Sequence, residues 1–131
     1  MELVRNYLIS FGLFMMIDLI WLGFIAKDLY GKALGHLMSP KVKWSAASLF
    51  YFIFIFGIQY FVLNPALIHQ DLSRLIVDAL MFGFLTYATY DLTNLATLKD
   101  WPLKLTFIDL VWGSSLSLLV SFLSYILIQW L

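Results

Sequence analysis

Tyr87-Ala88-Thr89-Tyr90-Asp91-Leu92-Thr93-Asn94 lies inside a long apolar run, about 72–98, that is otherwise written as a bilayer-spanning helix. At helical spacing Tyr87, Asp91 and Asn94 stand at i, i+4 and i+7 and share one face. A carboxylate at bilayer depth is costly unless it has a partner or a water-filled cavity. Two more acids stand in apolar segments. They are Asp18-Leu19-Ile20-Trp21-Leu22-Gly23 and Asp109-Leu110-Val111-Trp112-Gly113, and each acid has a tryptophan, Trp21 or Trp112, about one turn on.

Composition makes lipid the solvent. The 131 residues are 63% hydrophobic, 18% aromatic and only 12% charged, against roughly half apolar and a quarter charged in soluble domains. A chain of this size has no core large enough to hide that much apolar surface. The formal net charge of zero does not point to nucleic acid as a partner. The absence of cysteine excludes disulfides, thiolate metal sites and thiol catalysis. The first segment is not read as a cleaved leader: it holds Asp18 in its apolar run and lacks a small-x-small cleavage site.

The expected fold is an all-α integral membrane protein, an antiparallel four-helix transmembrane bundle forming one domain over 1–131, with helices at about 7–26, 44–63, 72–98 and 102–131. Lys27 to Lys43 reads as a polar loop. Asn64-Pro65 is expected to end the second helix, because the residue before proline disfavours helical backbone. Asp71 is placed to cap the third helix and Asp100 the fourth, while Arg74 and Asp78 are spaced as an i, i+4 ion pair. Period-two alternation, the mark of a β-barrel, is absent.

Charge bias sets the expected orientation. Lys27, Lys32, Lys41, Lys43, Lys99 and Lys104 fall on one side and only Arg5 and Arg74 on the other. The positive-inside rule then puts the six lysines in the cytoplasm and both termini outside. Asp18 lies roughly 13 Å from its lysine boundary, Asp91 roughly 12 Å and Asp109 roughly 7 Å, at 1.5 Å per residue. All three boundaries are on the same side, so the acids should meet in that half of the bundle. Clustered carboxylates in low dielectric cannot all ionise, so at least one proton should be shared. Lys27 or Lys104 could also snorkel inward.

Two readings compete for these residues. Aspartate, asparagine, tyrosine and tryptophan can form an interhelical network that merely holds the bundle together. Alternatively Asp18, Trp21, Tyr87, Tyr90, Asp91, Asn94, Asp109 and Trp112 line a pocket that binds a ligand. Three acids exceed what a structural network needs, which favours the pocket. Ser114, Ser117, Ser121 and Ser124 repeat at spacings of 3, 4 and 3, and are read as a small-residue packing face. Trp44, Trp101 and Trp130 suit an aromatic belt. His36 and His69 fall on opposite sides, so no metal site is assigned. The Phe-rich second segment is expected to face lipid or a second copy of the chain in a homodimer.

The blocks Asp18-Leu19-Ile20-Trp21-Leu22-Gly23, Tyr90-Asp91-Leu92-Thr93-Asn94-Leu95-Ala96-Thr97-Leu98-Lys99, Trp101-Pro102 and Asp109-Leu110-Val111-Trp112-Gly113 resemble the signature of an uncharacterised bacterial family, one of the predicted-membrane-protein domains of unknown function. The resemblance covers essentially the whole chain. It implies a four-helix protein of the bacterial inner membrane, and implies no reaction, ligand or cofactor.

The function expected from the residues is binding or transport of a small polar or cationic ligand, or of protons, at the acidic site. The alternatives are a membrane-embedded enzyme acting on lipid or isoprenoid substrates, with Asp91 or Asp109 as acid, base or metal ligand, and a structural or partner-binding subunit. Small multidrug transporters share the size and an acid in the first segment, but have one key carboxylate and little lysine bias.

Overall fold

The computed structural model describes residues 1–131, and every regular element is helical. Helix α1 spans Glu2–Ile20 and runs into a π-helical turn, Trp21–Ile25. A short helix α2, Lys27–Leu34, follows after Ala26. Helix α3, Trp44–Gly57, passes through a second π-helical turn, Ile58–Leu63, into α4, Asn64–His69. Helices α5, Leu72–Thr97, and α6, Leu103–Trp130, complete the chain. Four continuous runs are long and apolar enough to cross a membrane: Glu2–Ile25, Trp44–His69, Leu72–Thr97 and Leu103–Trp130. The shortest, 24 residues, measures about 36 Å, more than the ~30 Å hydrocarbon layer.

Four expectations change. The first helix begins at Glu2 rather than near residue 7, because Arg5 and Asn6 are polar without being helix breakers and Glu2 suits the positive end of the helix dipole. The stretch read as a loop contains α2, with Asp28 in its first turn and Lys32 in its last, each complementing the dipole. Its apolar positions Leu29, Tyr30, Ala33 and Leu34 fall on one face at helical spacing.

Pro65 does not end the second span. A proline removes one backbone donor and crowds the turn before it. Here the turn before it is π-helical, with hydrogen bonds reaching one residue further, and the missing N–H falls at the start of α4. The helix stops instead at Gln70, whose φ of 53° is left-handed. Asp100 is not a cap either. Its φ of 58° is left-handed, whereas a cap needs extended backbone, and Pro102 takes that place. Asp71 does cap α5, accepting from the Arg74 backbone N–H at 3.0 Å, and the Arg74–Asp78 pair closes at 3.3 Å.

Helix α6 is the centre of the packing, lying against α5 and α1. A Cβ on Gly83 would collide with the Gly113 carbonyl and the Ser117 side chain, and one on Gly113 with the Tyr87 ring. The two glycines therefore let α5 and α6 approach more closely than side chains would allow. One core cluster joins Val62, Leu63, Ala66, Leu75, Ala79, Tyr125 and Ile128. A second joins Phe14, Phe54, Ile55, Ile58, Leu116 and Val120. Outside these the surface is apolar: Leu8, Phe24, Phe56, Phe61, Val77 and Val111 are all well exposed, as a lipid-facing exterior requires. The interior of α1 is the reverse, since its buried residues are Asn6, Ser10, Phe14 and Asp18, three of the four polar.

Candidate functional site

A cavity of about 560 Å³ opens at the end of the bundle that holds the acids. Its wall combines side chains from α1 and its π-turn, from α2, α3, α5 and α6, and from Trp101. The π-turn after Ile20 widens the helix where Trp21 must reach the wall. Among the expected residues, Asp18, Trp21, Tyr87, Tyr90, Asp109 and Trp112 line it together.

Each carboxyl has a different setting. Asp109 accepts a hydrogen bond from the Tyr30 hydroxyl at 2.5 Å, and the Trp21 indole N–H donates to that same hydroxyl at 3.3 Å. Burial, then the bond to Asp109, holds the Tyr30 hydroxyl protonated well above its usual range. It therefore remains a donor at any ordinary pH. Asp18 faces the Trp112 indole and the Tyr51 hydroxyl. Asp91 is fully buried behind the wall beside Asp109, and neither of its oxygens finds a donor. Two carboxyls in contact can close a hydrogen bond only through a proton held between them.

Asn94 is half-buried next to Tyr90 and away from the wall. Asp91 and Asn94 thus share a face with Tyr87, as the spacing required, but only Tyr87 reaches the cavity. Lys27 and Lys104 do not turn inward; both are exposed. The wall carries no lysine, arginine or histidine.

The remaining wall is mostly aromatic. The Trp21 and Trp112 rings stack with centroids 4.2 Å apart and planes 9° apart. Tyr51 and Phe54 come from α3. Trp101, read as part of an aromatic belt, is buried; its indole N–H donates to Thr106 Oγ1 at 3.1 Å, and its ring meets Tyr90 edge-on at 6.0 Å. Tyr30, Tyr51, Phe54 and Trp101 were not legible as wall residues. Only Tyr30 carried a signal, the apolar stripe of α2. His36 and His69 are exposed at separate places in the chain.

Two uncompensated carboxyls in an aromatic cage offer Coulombic attraction, hydrogen-bond acceptors and ring faces to a positively charged group. No curated protein and no solved structure matches the chain. A family model matches residues 3–126, nearly its whole length, and on that match, together with its four apolar helices, the chain belongs to the family of predicted membrane proteins DUF2177, whose function is unknown.

Proposed function

We propose that this protein binds, and in the membrane transports, a small organic cation with an apolar body. The observation that carries the reading is the pairing of Asp18 and Asp109 with a mostly aromatic wall, completed by Leu22, Leu34, Met38, Ala47 and Thr86, that holds no basic side chain. A neutral ligand would leave both carboxyls without a counter-charge. An anion would be repelled. An amine or quaternary ammonium neutralises them while its apolar part covers the rings, a combination that favours binding by about 2 kcal/mol or more per desolvated cation–π contact.

The proposal includes an antiparallel bundle in a bacterial inner membrane with both termini outside. The order of contacts supports the threading: Tyr87 meets Gly113 while Gly83 meets Ser117, and Ser10 meets Ser124 while Trp21 meets Trp112. The cavity then opens towards the lysine-rich side.

Ligand-induced thermal stabilisation of the purified protein tests the reading. Tetraphenylphosphonium and a benzyl quaternary ammonium should raise the unfolding temperature; a neutral isostere and tetraphenylborate should not. Asp109→Asn should remove the effect. Equal stabilisation by cation and neutral isostere would overturn the proposal. It would favour a second reading, an enzyme on lipid or isoprenoid substrates, for which Asp91 buried beside Asp109 resembles an acid–base pair.

A further inference from the structure

Helix α6 carries a second polar feature that the acid cavity does not use. Ser117, Ser121 and Ser124 are fully buried and stand at i, i+4 and i+7 on one face. At their far end a chain of hydrogen bonds crosses three segments. The Gln59 side-chain N–H donates to Ser10 Oγ at 3.0 Å, and Ser10 Oγ donates to Ser124 Oγ at 3.0 Å. Gln59 comes from the wide π-turn of the second span, Ser10 from the buried strip of α1.

This cluster is incompletely satisfied. Gln59 Oε1, Ser117 Oγ and Ser121 Oγ are buried and have no hydrogen-bond partner in the protein. A helical serine has an easy alternative, a bond to the carbonyl one turn back. Ser114, on the same helix, takes it, donating to the Leu110 carbonyl at 2.8 Å. Ser117 and Ser121 do not, and their hydroxyls are left without that bond. Leaving three such atoms dry is costly, and internal water is the usual partner of buried polar groups that the protein leaves unpaired.

Position gives the seam a use. At one end Ser117 packs beside Gly83, one turn from Gly113, where the Tyr87 ring of the cavity wall lies. At the other end Ser10 is one turn from buried Asn6, whose side-chain oxygen accepts from Arg5. Between Asp18 and Ser10 on α1 stands Phe14, packed with Ile55, Ile58, Leu116 and Val120 in an apolar cluster. The serines pass beside that dry cluster.

We propose that the α6 serine seam, with Ser10 and Gln59, is a hydrated site: it holds internal water and continues the polar interior from Tyr87 past Phe14 towards Asn6. This stands whatever the acid cavity binds.

The chain has no cysteine, which makes thiol accessibility a clean test on the full-length protein in lipid nanodiscs. Silver ion is the probe, followed by unfolding and maleimide counting of free thiols. Ser117→Cys and Ser121→Cys should be silver-modified in the folded protein while resisting bulky maleimide. Val120→Cys, equally buried but in the apolar cluster, should keep its thiol free. A second measurement guards against misfolding of the cysteine variants. Ser121→Ala should lower the unfolding temperature, because it removes a partner of bound water; a dry orphan hydroxyl would give a rise. Both results are required. Silver-silent serine positions, a Val120→Cys that reacts equally, or a Ser121→Ala that raises the unfolding temperature would each overturn the proposal.

Discussion

Trp21 and Trp112 stack face to face across the two helices that also carry Asp18 and Asp109, with ring centroids 4.2 Å apart. The pair is a brace as well as a wall. Trp21 also supports Tyr30, and Trp112 faces Asp18. Aromatic pairs of this kind couple by about 0.5–1.5 kcal/mol beyond the area they bury. A double-mutant cycle of Trp21→Leu and Trp112→Leu, read by thermal unfolding in detergent, should return a coupling in that range. Strict additivity would show that the stack contributes nothing of its own.

Asp91 and Asp109 should respond oppositely to neutralisation. Asp91 has no donor, so Asp91→Asn supplies an N–H to Asp109 and removes an unpaired buried acceptor. Stability should be unchanged or higher. Asp109→Asn weakens a charge-assisted bond from Tyr30 and should cost about 1.5–3 kcal/mol. Equal losses in the two variants, measured by thermal unfolding, would mean that both acids serve only to hold the bundle together.

Gly83 tests the close approach of α5 and α6, with Gly12 on α1 as the control. Gly83→Ala drives a methyl into the Gly113 backbone and should cost about 1–3 kcal/mol by overpacking. Gly12 is exposed within α1 with nothing near its Cβ position. Gly12→Ala should therefore gain about 0.5–1 kcal/mol through helix propensity. A Gly83→Ala protein as stable as the parent would show that the helices can separate without penalty.

Orientation rests on the lysines, six against two arginines. His36→Cys should be shielded from an impermeant thiol reagent in intact cells, and His69→Cys should react. Both positions are exposed, so a difference in labelling reports sidedness rather than burial. The reverse pattern would invert the proposed topology and leave the cavity as described.

The four long helices were legible because apolar runs of this length have few other uses, and the acids because charge within them is rare. What stayed hidden depended on neighbours. Proline at 65 looks like a stop until the π-turn before it is seen. Trp101 has the composition of a boundary residue, and its bond to Thr106 and its contact with the Tyr90 ring place it inside. Asp91 had the right face and the wrong depth: it is fully buried beside Asp109 and does not reach the cavity, which depends on the packing of α5 on α6. Tyr30 was missed because a helix of eight residues flanked by lysines reads as a loop.

The bond from Tyr30 to Asp109 joins residues 79 apart in sequence, and this fixes an order of assembly. During synthesis α1 and α2 emerge long before α6. Until α6 arrives, Asp18 lacks Trp112 and Tyr30 lacks its acceptor. The cavity is thus among the last features of the nascent chain to form, and a chain halted before residue 109 has no site at all.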